Sequence, residues 1–570
     1  MKARQEFQKA LDADPTSAEI RSALAEAFWN LGYEEKAREE SAAALEQAKN
    51  LPSDQRIRIG LRQKEYAKQW DYAAETYRAL WKTQPDNYFY GLELARNQME
   101  GNRLKESLAT LEQLKGKGAP IGVQAQADLR LADVQRRLGD NQRRLKAAEQ
   151  GVQEAQAIGS QFLLVNGGIE RCLALTDLGR VQEADSVCAE TVQKSQNLGV
   201  PSVIAHAKTA RANLFLSRGQ YPEAEILYEE ARAATHAVGD LHNEAGALLN
   251  LGVVQYQENH LPEARKWWEK SLAVSRERGG VNSDLLQAQE AIANVDGAMG
   301  NPKGQISVLQ EVAKEAESIG DKERHANTLG NICSTQISSG EVLAAKPNCE
   351  QALRLRKEMQ DQSALARSLT DLGDYFSASD MLPEAEEKYR AALAIQTSIG
   401  EKATIRATRR GIAQMEMERG NFGPAESELK ALLPEFAQAQ DSDGEAQTRI
   451  ILADIYLRRA EWKQAQAEIA NGLDLAAKST DPSISAALTI QKARLESRSA
   501  RSASASNTLS KLENQLRSGG YFELAVEARL ARAEAAEGTM RKSELKAVAE
   551  EARKHGYLLL ARKATEMSGA

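Results

Sequence analysis

The chain has 570 residues, with 42% hydrophobic, 27% charged and 5% aromatic side chains and only 13 Pro and 38 Gly. Ala, Leu, Glu, Gln, Arg and Lys dominate; these favour helix, and the scarcity of Val/Ile/Thr runs and of Pro/Gly-rich linkers argues against β or α/β architecture and against a string of linked domains. The net charge of -7 is mild and gives no general basis for binding nucleic acid, although the last 86 residues carry 15 Lys/Arg against 10 Asp/Glu, read here as a solvated helix surface. No apolar run approaches the length of a membrane span, and the charged start MKARQEFQKALDADP lacks the apolar stretch of a signal peptide.

In chain order, one position recurs in every unit and is small in all but two: Ala37, Ala73, Ser107, Arg144, Ala184, Ala224, Ala264, Gln305, Ala345, Ala385, Ala425, Ala465, Ala505 and Ser543. At Arg144, Gln305, Ala505 and Ser543 the register is set by spacing alone. The intervals are 34–41 residues, and 40 is the commonest, which predicts about fourteen helix pairs. Gly159, Gly199, Gly239, Gly279, Gly320 and Gly400 fall at multiples of the same period, where each second helix should end in a left-handed turn. Two units show the pattern fully: GVVQYQENHLPEA (252–264) followed by Trp268 and Ser271, and GDYFSASDMLPEA (373–385) followed by Tyr389 and Ala392. Small residues (Gly252, Cys333, Ala264, Ala345) permit helix A and helix B to cross closely, and the helix B aromatics Tyr77, Tyr228, Trp268 and Tyr389 fill the groove towards the next repeat.

These segments resemble the tetratricopeptide (TPR) repeat. The resemblance implies an all-α solenoid, a right-handed superhelix of antiparallel helix pairs. Its expected divisions are a helix B half-repeat at 1–17, three shorter repeats at 18–125, nine mostly 40-residue repeats at 126–485, and two degenerate repeats with a closing helix at 486–570. In the half-repeat, Phe7, Ala10 and Pro15 are in register but no helix A precedes them, which suggests a longer natural chain; EARKHGYLLLARKATEMSGA reads as a natural C-terminal end. Residues 3–100 and the closing EARKHGYLLLARKA are also similar to the region that follows the effector domain in bacterial multidomain regulators, either Ser/Thr kinases or winged-helix transcription regulators. That resemblance implies a regulatory or sensory array. The kinase motifs G-x-G-x-x-G, H-R-D and D-F-G are absent, and no catalytic activity or cofactor is expected of the chain.

Several constellations have two readings. Cys172 and Cys188, and Cys333 and Cys349, are each 16 apart at matching repeat positions and should face each other across an A/B interface. They would form disulfides in an oxidising compartment or act as buried thiols; the latter is expected, because nothing else marks export. The histidines His206, His236, His242, His260, His325 and His555 show no metal-binding spacing. Tyr66, Trp70, Tyr72, Tyr77, Trp81, Tyr88, Phe89 and Tyr90 crowd 25 residues. Most suit a core, while Tyr88 and Phe89 form a candidate docking patch for a partner or an adjoining effector domain. The serine-rich 497–508 reads as a joint before a degenerate repeat or as a phosphoacceptor strip.

Helix A positions facing the concave groove hold His206, Asn213, Asn250, Tyr256, Asn294, Asn327, Asn331, Arg367, Asp371 and Asp374. Asn amides can donate to and accept from a peptide backbone together, which suits an extended chain of any sequence. A carboxylate clamp of the chaperone-binding kind is not expected, since Thr209 and Glu290 stand where it needs Lys. The leading expectation is a cytoplasmic, non-enzymatic scaffold for a protein or extended peptide; a periplasmic location follows if a membrane segment lies upstream. The alternatives are the docking region of a kinase or transcription regulator, and an array that senses a small ligand.

Overall fold

The computed structural model describes residues 2–116, 118–479, 481–498 and 502–569, and among these every regular element is helical. α1 (Lys2–Ala13) stands alone. Pairs follow: α2 (Ala18–Asn30) with α3 (Glu34–Gln47), α4 (Ser53–Tyr66) with α5 (Trp70–Thr83), α6 (Tyr88–Glu100) with α7 (Leu104–Gly116), and α8 (Ile121–Arg137) with α9 (Asn141–Ala157). Next come α10 (Gln161–Asp177) with α11 (Val181–Leu198), α12 (Pro201–Ser217) with α13 (Tyr221–His236), and α14 (Leu241–Gln257) with α15 (Leu261–Glu277). The series continues through α16 (Ser283–Ala298) with α17 (Pro302–Ser318), α18 (Lys322–Ser339) with α19 (Val342–Met359), and α20 (Gln362–Ala378) with α21 (Leu382–Ile399). It ends with α22 (Lys402–Glu418) with α23 (Phe422–Gln438), α24 (Ser442–Arg458) with α25 (Trp462–Ala476), α26 (Pro482–Glu496) with α27 (Ser502–Ser518), α28 (Phe522–Glu534) with α29 (Gly538–His555), and the closing helix α30 (Leu558–Ser568). The fold is an all-α TPR-type solenoid of fourteen pairs.

Local chemistry separates the two helix types. Many A helices open on a side-chain cap: Ser160, Asp240, Asp321, Asp361 and Asp441 each accept from the backbone N–H three residues on. Several B helices instead carry Pro in their first turn (Pro222, Pro262, Pro302, Pro383), where a missing N–H costs nothing. The six period-marking glycines all have φ between 65° and 84°. The helix crossing is as close as the small residues require: a Cβ on Gly252 would lie 2.2 Å from the Trp268 indole nitrogen, and one on Gly373 would lie 2.6 Å from the Tyr389 ring.

Of the positions placed by spacing, Ala505 is buried, Arg144 is buried and paired to Glu170 at 2.8 Å and Asp177 at 3.0 Å, and Gln305 presses on Gly297. Ser543 is exposed, so the register fails in the last repeat; Leu545, Val548, Ala549 and Ala552 carry the buried face of α29 instead. Within the serine-rich stretch, residues 499–501 lie outside the described residues, and helix α27 runs from 502.

The chain divides into two compact units, Met1–Ala291 and Ile292–Ala570. Each closes on itself. In the first, the turn after α2 meets the start of α14 and the turn after α15: the Leu241 N–H donates to the Leu31 carbonyl at 3.0 Å, and Arg278 donates to the Gly32 carbonyl at 3.2 Å and pairs with Glu34 at 2.7 Å. In the second, Tyr557 donates to the Ile337 carbonyl, His555 Nδ1 lies 2.8 Å from the Gly340 carbonyl, and Arg562 pairs with Asp380 at 2.9 Å.

The expectation of free thiols is corrected. Cys172 bonds Cys188 and Cys333 bonds Cys349, with Cα atoms 5.0 and 5.3 Å apart, all four residues being buried. The spacing argument that they face each other across one A/B pair holds; the compartment argument against oxidation does not. Thiol titration of the unfolded, unreduced protein should find no free thiol, and four after reduction. Replacing either pair by Ala should cost about 3 kcal/mol by loop-closure entropy, measured by denaturant unfolding.

Candidate functional site

In the first unit the inner face is laced by charge pairs between successive A helices. Glu26 on α2 pairs with Arg62 on α4; Glu65 pairs with Arg96 at 2.6 Å, Glu93 with Arg130 at 3.1 Å, and Glu100 with Arg137 at 2.9 Å. Burial pushes the Glu93 carboxyl up, but Arg96 and Arg130 outweigh it and hold it below the usual range. These Glu-to-Arg offsets of about one repeat are visible in the sequence, yet the groove reading did not use them. Beyond them, α8, α10 and α12 line an open cavity of about 410 Å³ that includes Arg130, Asp133, Asn166, Glu170 and the expected groove residue His206.

The expected groove residues divide between the units. In the first, His206 Nε2 lies 2.6 Å from Asn243 Oδ1, Asn213 accepts from the Tyr228 hydroxyl at 2.6 Å, and Tyr256 packs on Trp268 with ring centroids 5.8 Å apart. Asn250 is half-buried, and its amide has no hydrogen bond among the described residues. In the second, Asn294 accepts from Gln305 at 2.9 Å, Asn327 from Arg356 at 3.2 Å, and Asp374 from the Tyr389 hydroxyl at 2.5 Å. Asp371 lies 3.8 Å from Arg356, Asn331 is half-buried, and Arg367 is exposed. Five of these ten residues (Asn213, Asn294, Asn327, Asp371 and Asp374) therefore brace helix A against helix B. Asn213–Tyr228 and Asp374–Tyr389 share the same 15-residue offset, a signal the sequence contains. Of the aromatic patch, Phe89 is exposed, whereas Tyr88 packs against the core of its repeat.

The second unit contains a larger cavity of about 690 Å³, lined by α22, α24, α26, α28 and α30, with Trp462 and the turn residues Ser497 and Arg498 at its margin. Sequence reasoning missed it because its wall includes the degenerate repeats. Its acids are unusual. Burial pushes Glu523 up to about 7, with Glu527 and Asp374 nearby adding to the effect, and raises Glu527 as well. On α20, burial and then the neighbouring Asp374 push Asp371 up to about 7, while Asp374 itself is exposed. No His/Cys/Asp/Glu group among the described residues could hold a metal ion, and no described helix is long and apolar enough to cross a membrane.

Residues 203–277 match the family model of the tetratricopeptide repeat. That stretch covers α12 to α15. Three solved structures are similar in fold. A Rap protein complexed with competence and sporulation factor is 11% identical, with 60% of this chain and 97% of that one covered at a TM-score of 0.43. Aspartyl phosphate phosphatase F from Bacillus subtilis is 15% identical over 62% and 94%, at 0.43. A tetratricopeptide repeat protein from Parabacteroides merdae is 14% identical over 50% and 98%, at 0.35. No curated protein sequence matches the chain.

Carboxyls raised in the folded state bind more protons there than in the unfolded chain between about pH 4 and 7, so stability falls as pH rises through that window. Denaturant midpoints of the full chain should drop from pH 5 to pH 8. Asp371→Asn should flatten that drop by on the order of 1–3 kcal/mol; an unchanged pH dependence would count against the buried-acid account.

Proposed function

We propose that the chain is a non-enzymatic scaffold that binds a protein or extended peptide on the inner faces of its A helices. The observation that carries this reading is that A helices supply nearly the whole wall of the 410 Å³ and 690 Å³ cavities. Asn250 and Arg367, with no hydrogen bond or close ion pair among the described residues, are the groove positions best able to meet a partner. The similarity of residues 3–100 to the region following bacterial effector domains supports a regulatory or sensory role within a larger signalling protein, whose effector would be a kinase or a winged-helix regulator. The two disulfides favour an oxidising compartment, and so the periplasmic rather than the cytoplasmic location.

A second reading, an array that responds to a small ligand, is favoured by the size of the second unit's cavity, which lies within the range of small-molecule sites.

A photo-crosslinking residue placed at Arg367 should capture a protein partner in the native host, and the same residue at Ile226, exposed on helix B, should not. Equal yields at both positions would move the binding surface off the A helices.

A further inference from the structure

Glu523 and Glu527 lie one turn apart on α28 and both line the 690 Å³ cavity. Neither has an ion pair or hydrogen bond among the described residues. The acids around them are matched: Glu418 with Lys563 at 2.6 Å and Arg458 at 3.1 Å, Asp454 with Arg458 at 2.8 Å, and Glu534 with Arg494 at 3.5 Å. The two remaining cations of the wall face aromatic rings, Arg410 over Phe436 at 5.6 Å and Arg498 over Trp462 at 5.7 Å. The cavity therefore presents two neighbouring carboxylates that none of its cations pairs with directly; Lys563 acts on both, and Arg494 on Glu527, only at longer range. Two half-buried like charges a turn apart are unfavourable without a close counter-charge, and desolvation has raised both accordingly.

A second observation points to an occupant. Gln491 on α26 is only 6% exposed and lines the same cavity, yet its amide nitrogen donates to nothing; its oxygen has a single long contact from Arg494 at 3.5 Å. The side chain is held by its helix but its nitrogen stays open to the cavity, free to donate to whatever enters. Leu524, Leu560, Met417 and the Trp462 ring supply apolar wall. A metal ion does not suit the site, since no described His/Cys/Asp/Glu group has the arrangement to hold one.

We propose that this cavity binds a small organic cation, whose ammonium or guanidinium group sits between Glu523 and Glu527 while its stem lies along the apolar wall and its polar end meets Gln491. The inference rests on the small-ligand reading of the cavity and adds the chemical class. A free polyamine and the side chain of a short basic peptide offer the same group, and the experiment separates them.

The full chain is titrated calorimetrically with spermidine, with agmatine, and with capped pentapeptides carrying one central Lys or one central Glu. Trp462, the only tryptophan in residues 292–570 and a wall residue, gives an independent fluorescence readout whose loss in Trp462→Phe locates the site. The expected result is one saturable site for at least one amine or guanidine probe, weakened at least tenfold in Glu523→Gln/Glu527→Gln and accompanied by the Trp462 response. The Gln pair keeps the shape and removes buried charge, so its fold should survive; an unchanged circular dichroism melt verifies this. Preference for spermidine and agmatine identifies a free amine as the ligand type, and preference for the Lys peptide identifies a peptide-borne one. If the Glu peptide binds with a Trp462 response that the double variant leaves unchanged, the cavity is a ligand site but the cation assignment is overturned. If no amine or guanidine probe binds, the inference fails, while the crosslinking result at Arg367 still decides the scaffold reading on its own.

Discussion

Every repeat depends on how closely helix A approaches helix B. A large ring on helix B lies against helix A backbone, and that is feasible only where helix A has no side chain in the way. Trp268 shows the arrangement in full: its indole N–H donates to the Leu249 carbonyl at 2.9 Å while the ring covers Gly252. The ring is thus both core and hydrogen-bond donor, so the A/B angle is set by packing and by a directional bond together. The tyrosines at 228 and 389 do the same through their hydroxyls, with Asn213 and Asp374 as acceptors. Where the ring is replaced by cysteine, at 188 and 349, a covalent bond takes over the same contact. Bond type varies, but the contact between this helix B position and helix A recurs from repeat to repeat.

This shared crossing also explains the character of the inner surface. Polar groups on helix A that are drawn into bracing helix B cannot meet a partner, which is why most of the expected Asn ladder is internally engaged. In the first unit the remaining charges pair from one A helix to the next. In the second unit Glu418 pairs with Arg458 and Glu534 with Arg494 in the same way, while Glu523 and Glu527 of α28 are left facing the cavity.

The repeat number, the alternation of A and B helices and the glycine-terminated ends were legible in the sequence because each is local and recurs forty residues later. The facing of the cysteines was legible for the same reason; their oxidation was not, since it was judged on cellular context rather than geometry. Ser543 was misplaced because interval alone carried the register where no characteristic residue remained. Tyr228 and Tyr389 as partners of Asn213 and Asp374 were within reach of a fixed-offset comparison. The cavity acids were not, because Glu523 and Glu527 acquire meaning only from the neighbours that fail to pair with them, and those neighbours are spread over helices from α22 to α30.

The self-closure of each unit changes how such an array can come apart. An open solenoid has only nearest-neighbour contacts, so its end repeats fray independently of its middle. Here Arg278 reaches Glu34 across 244 residues and Tyr557 reaches Ile337 across 220. Loops of that length are entropically slow to close, so these bonds belong to the last stage of folding. Once made, they tie an early repeat of each unit to a late one, so fraying through those repeats must also break the seam. Seven or so weakly coupled modules thereby behave as a single cooperative hoop, and a ligand that tightens the seam from inside would be felt by every repeat around it.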